Sequence, residues 1–248
     1  MTTGFYDGNV FLYPCAGMDI VQPISAFGLQ FDTMLFVDLG YQFDSGFHLP
    51  KIDGWKELNE SVLIEGPKYS SVKIFQRGKH FRKEIEPAWR KSLYQHTESG
   101  RCINIVFRRG FGQYALQEIS DGTLGMFLHR GDSQGEGGSR VCYLSNRKMK
   151  HAPLSNLLNT IKSKLAMPGL IGSDGSNTSI NELYRAGNEN DKLTEFTQHG
   201  LHWRRRKTLV RPDDRRLTVV WQVTAANSSN EFSGKSKTSM GDLKHEPR

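Results

Sequence analysis

Two short apolar runs near the start of the chain, residues 10–13 and 34–37, stand out from polar surroundings. The first run breaks at Pro14 into a loop of small residues, 15–17, and the second run ends on Asp38. Short continuous apolar runs between turn signals are typical of buried strands. A strand, a tight loop, a short crossover and a second strand with a terminal acid form the layout of a nucleotide-binding βαβ unit.

This layout predicts a ligand site where the two strands end. Glycine lets backbone approach a ligand closely, which suits Gly17, and an acid about twenty residues further on can accept hydrogen bonds from ribose hydroxyls, which suits Asp38. The alternative is a purely structural turn, because small residues are common between the strands and helices of any α/β protein.

The remaining apolar runs predict further elements. Strands are predicted at residues 61–64, 71–75, 102–107, 125–129 and 169–172, with an antiparallel hairpin at residues 201–210 and 216–223. Helical spacing predicts a helix over residues 153–165 and a second near 180–185, whereas residues 39–60 form a loop with one helical turn at 54–57. The predicted fold is α/β, a Rossmann-like, mostly parallel sheet with helices on both faces and a C-terminal antiparallel hairpin.

The length of 248 residues predicts one domain over residues 1–224. Residues 42–100 form a polar, partly basic, insertion-like region within it. Residues 225–248 are rich in Ser, Asn and Lys, and this composition predicts a disordered tail.

The cysteines and the apolar runs indicate a cytoplasmic protein. Cys15, Cys102 and Cys142 are odd in number and form no CxxC pair, so we expect reduced thiols and no metal site. No run approaches the roughly 18 apolar residues of a membrane span, and no signal peptide precedes Asn9, so we expect no membrane partner.

With this order of elements, the chain resembles the class I S-adenosylmethionine-dependent methyltransferases over residues 9–223. In that family the last strand runs antiparallel beside the strand before last, and residues 217–223 stand where it would be. Residues 126–128 stand where the family's fourth strand would be. The resemblance implies S-adenosylmethionine, or a related nucleoside, as cofactor. The residues predicted to bind the cofactor are Tyr13, Cys15, Ala16, Gly17, Asp19, Asp38 and His129.

The glycine-rich loop after His129, residues 130–139, is a second candidate for chemistry. Ligands of open α/β sheets bind beyond the carboxyl ends of the strands, so Asp132 and Glu136 are predicted to face a methyl acceptor as catalytic residues. A solvated turn is the alternative. A further alternative is a serine hydrolase, because residues 131–135 match the G-x-S-x-G motif. Its triad would be Ser133, Asp174 and either His199 or His202.

Two basic segments, residues 77–91 and 204–216, are candidates for nucleic-acid binding. The formal net charge is +7 and the isoelectric point is near 9.3, which allows an acidic partner. The first segment mixes cations with Phe81 and Trp89, as a nucleic-acid surface can. Acidic residues dilute both segments, and alternate residues of a strand face opposite sides, so a solvated surface is the alternative. A non-catalytic scaffold that binds nucleic acid or protein therefore stays open as a second function.

Overall fold

A large mixed β-sheet dominates the computed structural model of the protein. The structure describes residues 6, 8–43, 47, 50–59, 62–65, 72–76, 79–83, 87–130, 143–144, 157–175, 178, 180–186, 193–210 and 217–226. The strands are β1 (Val10–Pro14), β2 (Thr33–Asp38), β3 (Trp55–Glu57), β4 (Val62–Glu65), β5 (Val72–Gln76), β6 (Lys79–Lys83), β7 (Ala88–His96), β8 (Cys102–Arg109), β9 (Leu124–His129), β10 (Leu165–Ser173), β11 (Glu195–Gln198), β12 (Leu201–Val210) and β13 (Leu217–Ala225). The described helices are α1 (Val21–Phe27), α2 (Gly112–Glu118), α3 (Leu157–Lys164) and α4 (Asn181–Ala186).

Five parallel strands form the middle of this sheet, in the order β10, β9, β1, β2, β8. Their carboxyl ends finish almost level. Pro14 of β1 lies opposite Val37 of β2, and Asp38 lies opposite Arg109 of β8. We call this side of the sheet the carboxyl edge. The loops that follow all five strands lie at the carboxyl edge.

Antiparallel strands extend the sheet at both ends. On one side, β13 pairs antiparallel with β10 and with β12, and β11 pairs with β12. On the other side, β7 pairs antiparallel with β8, and both β3 and β4 pair with β7. A separate two-stranded sheet consists of β5 and β6.

The alternation of side chains along the central strands produces two cores, one on each face of the sheet. Val10 and Leu12 belong to the core that α2, α3 and α4 cover. Phe11 and Tyr13 belong to the other core, which α1 covers together with non-helical segments around Tyr41. Because both of their faces are buried, β1 and β2 are apolar over residues 10–13 and 34–37.

The predicted fold class is wrong. Among the described residues the protein is mostly β, and the large sheet has eleven strands with six antiparallel and four parallel pairings. The four described helices are only six to eight residues long. The sheet is therefore not a mostly parallel Rossmann-like sheet between two helical layers. Antiparallel strands need one buried face only, so β3, β7 and β11 carry charged residues and were not predicted as strands.

The individual predicted elements match the structure better than the predicted fold class does. The predicted hairpin is present as β12 and β13, and the predicted run at residues 125–129 is the parallel strand β9. The predicted helical turn at residues 54–57 is wrong, since residues 55–57 form strand β3. The first four residues of the predicted helix at 153–165, the loop at 131–139 and nearly all of the tail lie outside the described residues.

Candidate ligand-binding site

A cleft of about 350 Å³ opens at the carboxyl edge, between the loop that follows β1 and the loop that follows β2. Its lining residues are Gly17, Met18, Asp38, Gly40, Tyr41, Gln42 and Phe47. Two of the residues predicted to bind a cofactor, Gly17 and Asp38, therefore line the same cleft. Small-molecule sites generally have volumes of roughly 300–1,000 Å³, so the cleft has room for a small ligand.

Asp38 is the acidic group of this cleft, and two backbone amides orient it. The amide of Gly17 donates to Oδ2 at 3.0 Å, and the amide of Gly40 donates to Oδ1 at 2.7 Å. An ionised carboxylate offers about four acceptor positions, so these two bonds leave acceptor capacity on both oxygens. Asp38 is thus fixed in place and can still accept hydrogen bonds from a ligand.

Hydrogen bonds fix the loop that contains Gly17 to β2 and to the segment that follows β2. Gly17 has φ +51°, and a Cβ added there would meet no atom within 4 Å, so its α-carbon faces open space. The Tyr41 hydroxyl donates to the carbonyl of Gly17 at 2.7 Å, and the amide of Ala16 donates to the carbonyl of Val37 at 3.0 Å. These bonds join the two loops that form the walls of the cleft.

Packed aromatic rings support one wall of the cleft. The ring centroids of Tyr41 and Phe47 lie 5.8 Å apart, and both rings pack edge-on against Phe107, at 5.5 and 5.4 Å. The Arg90 guanidinium lies 5.1 Å above the Phe47 ring and donates to the Phe47 carbonyl at 2.7 Å. Such packing restricts the rings and offers a preformed apolar surface.

Tyr13 and Asp19, also predicted to bind the cofactor, belong to a buried network around Arg130. The Arg130 side chain has no exposed surface, and its Nη2 lies 2.9 and 2.8 Å from the two carboxylate oxygens of Asp19. Its Nη1 donates to Gln22 Oε1 at 2.6 Å, and its Nε donates to the Tyr13 hydroxyl at 3.2 Å. The Tyr13 hydroxyl in turn donates to Asp19 at 2.9 Å. The network joins β1, the residues around α1 and the end of β9.

Both tyrosines next to this site keep their protons to unusually high pH. Burial raises the pKa of Tyr13, and the Asp19 carboxylate raises it further while Arg130 lowers it. Burial also raises the pKa of Tyr41 well above its usual value, with additional contributions from Asp38, Tyr13, Cys15 and Asp19. The Tyr41 hydroxyl thus remains a donor to Gly17 at neutral pH.

The other predicted cofactor residues also lie at the carboxyl edge. Cys15 is half-buried with φ +57°, and Ala16 is buried. His129 is fully buried at the end of β9, where its ring stacks on Phe127 at 6.2 Å and packs against Tyr143 at 5.4 Å. His129 is therefore part of the core below the edge. Asp132 and Glu136, the predicted catalytic residues, lie outside the described residues.

Of the hydrolase residues that the structure describes, Asp174 lies far from His199 and His202. Asp174 follows β10 at the carboxyl edge, where its amide donates to the carbonyl of His129 at 3.3 Å. His199 and His202 lie at the start of β12, which is level with the amino ends of the parallel strands. At about 3.3 Å per strand residue, roughly 20 Å separates His202 from the carboxyl edge. Ser133 lies outside the described residues.

The second basic segment is only partly available to a partner. Arg204 and Arg206 on β12 are exposed. Arg205 donates to Thr208 Oγ1 at 2.8 Å, and Lys207 lies 4.0 Å above the ring of Phe27. Residues 211–216, and the side chains of residues 77–86 in the first segment, lie outside the described part of the chain.

A larger cavity of about 500 Å³ lies at the opposite, amino edge of the sheet. Its lining residues are Gly8, Asn9, Gln30, Phe31, Gly122, Thr123, Gly125, Ala166, Pro168 and Leu170. None of these carries a charge, and none was predicted to bind a ligand. Because ligands of open sheets with parallel strands bind at the carboxyl ends of those strands, we place the site at the smaller cleft.

Several residues of the site were missed from the sequence. Tyr41 and Phe47 lie in a polar, glycine-punctuated segment with no periodicity, but the repeated aromatic residues after Asp38 were an available signal. Arg130 was noticed only as part of a glycine-rich loop. No sequence pattern indicates that it would pair with Asp19, because the pairing depends on the adjacency of β1 and β9.

No family model, no curated protein and no solved structure matches this chain. Among the described residues, no helix combines the length and the apolar composition needed to cross a membrane. The same part of the chain contains no group of three or more His, Cys, Asp or Glu side chains that could hold a metal ion. Functional inference therefore depends on the geometry of the cleft.

Proposed function

We propose that the protein binds S-adenosylmethionine, or a related nucleoside, in the cleft at the carboxyl edge. The observation that carries this proposal is the hydrogen bond between Gly17 and Asp38 in the lining of that cleft. It holds an acid with spare acceptor positions beside a backbone segment that has no side chain in the way. Vicinal ribose hydroxyls are donors that fit these acceptor positions.

The remaining lining residues also fit a nucleoside. Tyr41 and Phe47 provide apolar surface for a nucleobase, and the exposed Gln42 adds an amide that can both donate and accept. The strand order gives independent support. β13 runs antiparallel between β10 and β12, which is the place that class I methyltransferases give to their final strand.

The activity we propose for the bound cofactor is methyl transfer to an acceptor that is not yet identified. S-adenosylmethionine supplies an electrophilic methyl group on its sulfonium. The protein's part is to orient the cofactor through Asp38. Asp132 and Glu136, which follow β9, stay the candidates for facing the acceptor. The reduced thiols of Cys15 and Cys102 fit the cytoplasmic location that we propose.

Calorimetric titration with S-adenosylmethionine and with S-adenosylhomocysteine tests this proposal. The wild type is expected to bind, and Asp38→Ala is expected to weaken binding at least about tenfold, since hydrogen bonds to a charged group contribute about 1.5–3 kcal/mol. Asp32→Ala is the matched control, because Asp32 lies at the other end of β2 and pairs with Arg101. No binding by the wild type, or equal losses in both variants, would refute the assignment.

A second candidate function, binding of nucleic acid, is favoured by the exposure of Arg204 and Arg206 on β12. It predicts that the affinity for a polynucleotide falls steeply as the salt concentration rises. It also predicts that Arg204→Gln with Arg206→Gln reduces this salt dependence, whereas nucleoside binding is unchanged. Fluorescence anisotropy with labelled single-stranded RNA measures both. A salt-independent affinity would argue against this function.

A further inference from the structure

The charges around the cleft indicate which nucleosides it can accept. Of the described residues that line the cleft, Asp38 is the charged one. None of the described lining residues is a lysine, an arginine or a histidine. Phosphate groups are usually held by such cations or by helix N-termini, so the described lining residues have little to offer a phosphate.

Two cations near the cleft are already engaged by other groups. Arg90 donates to the carbonyl of Phe47 and stacks on its ring, and Arg130 is paired with Asp19. The Arg130 side chain is completely buried, and all three of its guanidinium nitrogens donate within the network of Asp19, Gln22 and Tyr13. A buried guanidinium that is already paired with a carboxylate cannot reach an anion in the cleft without breaking that pair. The local charge of Arg130 is therefore offset by Asp19.

Asp19 itself lies near the position where a phosphate would be expected. In nucleotide-binding units the phosphate sits between the glycine loop and the start of the following helix. Here Asp19 lies between Gly17 and Val21, the first residue of α1. A phosphate in that place would be close to the Asp19 carboxylate and to Asp38.

The pKa of Tyr41 agrees with two carboxylates near its hydroxyl. Asp38 and Asp19 each raise the pKa of Tyr41, although burial is the larger cause. The Tyr41 hydroxyl lies 2.7 Å from the carbonyl of Gly17. Tyr41 therefore connects the surroundings of both carboxylates to the loop that contains Gly17.

We propose that the cleft selects nucleosides that carry no phosphate, with a neutral or positively charged group in place of the 5′ phosphate. This inference rests on the proposed function, and it names the chemical class of ligand that the same site takes. Asp38 provides the selectivity by repelling anions. Asp19 offsets the charge of Arg130, which is therefore not available to a phosphate.

Calorimetric titrations of the full-length protein with adenosine, adenosine monophosphate and S-adenosylmethionine at low salt test the inference. The monophosphate is expected to bind at least about tenfold more weakly than adenosine, and the difference is expected to shrink as salt screens the carboxylates. Equal or tighter binding of the monophosphate would overturn the selectivity but leave the nucleoside site standing. Absence of binding by all three ligands would overturn the proposed function, and the selectivity with it.

Two matched variants locate the source of the selectivity. Asp19→Asn leaves the charge of Arg130 without its carboxylate, so the preference for adenosine over the monophosphate is expected to fall by about tenfold. Asp32→Asn also removes a carboxylate paired with an arginine, but at the opposite edge, and its preference is expected to equal that of the wild type. An unchanged preference in a folded Asp19→Asn protein, or the same change in both variants, would overturn the role of Asp19. If Asp19→Asn does not fold, the salt dependence of the wild-type preference tests the proposal instead. A preference for adenosine that salt does not reduce would overturn an electrostatic origin.

Discussion

Removal of Arg130 tests how strongly the buried network holds the candidate site together. The substitution Arg130→Met keeps much of the side-chain volume and removes the charge that faces Asp19. The Arg130 side chain is 0% exposed and that of Asp19 is 17% exposed, so the substitution leaves a mostly buried carboxylate with the Tyr13 hydroxyl as a remaining donor.

The magnitude follows from this burial. Breaking a buried ion pair by removing one partner costs about 3–5 kcal/mol. Partial access of water to Asp19 places the expected loss of unfolding free energy near the lower limit, at about 3 kcal/mol. For a chain of this size, that loss lowers the melting temperature by about 6–12 °C.

Urea denaturation at neutral pH measures the loss, and a surface ion pair provides the comparison. Arg101 and Asp32 lie 2.9 Å apart with side chains 39% and 51% exposed, so solvent screens them, and Arg101→Met is expected to cost less than about 1 kcal/mol. The double variant of Arg130→Met with Asp19→Asn is expected to lose less stability than the sum of the single losses. A loss below about 1 kcal/mol for Arg130→Met would contradict a stabilising role of the network. The same holds if the double variant loses the sum of the two single losses.

Two further substitutions test the surroundings of the cleft. Tyr41→Phe removes the hydrogen bond to Gly17 and is expected to cost about 1 kcal/mol at neutral pH. Folding raises the pKa of Tyr41, so the stability that its hydroxyl contributes is complete below about pH 10 and is lost as the pH rises further. Tyr41→Phe should therefore lose less stability than the wild type as the pH rises above about 10. Gly110→Ala places a Cβ 2.5 Å from the Arg108 guanidinium at φ +138°, whereas Gly100→Ala, at φ +70°, meets no atom within 4 Å. Denaturation midpoints should show Gly110→Ala to be less stable than Gly100→Ala by at least about 1 kcal/mol, and equal midpoints would contradict the close packing at Gly110.

The middle of the sheet could be predicted from the sequence because its strands are buried on both faces. The run from Val10 to Tyr13 and the run that ends at Asp38 are apolar without interruption, and both are parallel strands. The strands at the ends of the sheet were harder to recognise. In β7, Arg90 and Lys91 interrupt the apolar pattern, since antiparallel strands can leave one face in solvent.

The candidate site was predicted in part for a similar reason. Gly17 and Asp38 follow apolar strands directly, so their position at the strand ends is a local property of the sequence. The partners of Asp19 and the ring contacts of Tyr41 with Phe107 are long-range contacts. They depend on which strands become neighbours, and the apolar pattern does not specify that order.

Photo-crosslinking with radiolabelled S-adenosylmethionine tests most directly whether a nucleoside occupies the cleft at Asp38. No lysine or arginine precedes Lys51, so trypsin releases the cleft residues Tyr41 and Phe47 in one peptide, residues 1–51. Fragmentation of that peptide separates these rings from Phe31 of the amino-edge cavity. We predict label on Tyr41 or Phe47, suppressed by unlabelled S-adenosylhomocysteine and lost in Asp38→Ala. Label on Phe31, label elsewhere in the chain, or label that Asp38→Ala leaves unchanged would contradict a nucleoside site at this cleft.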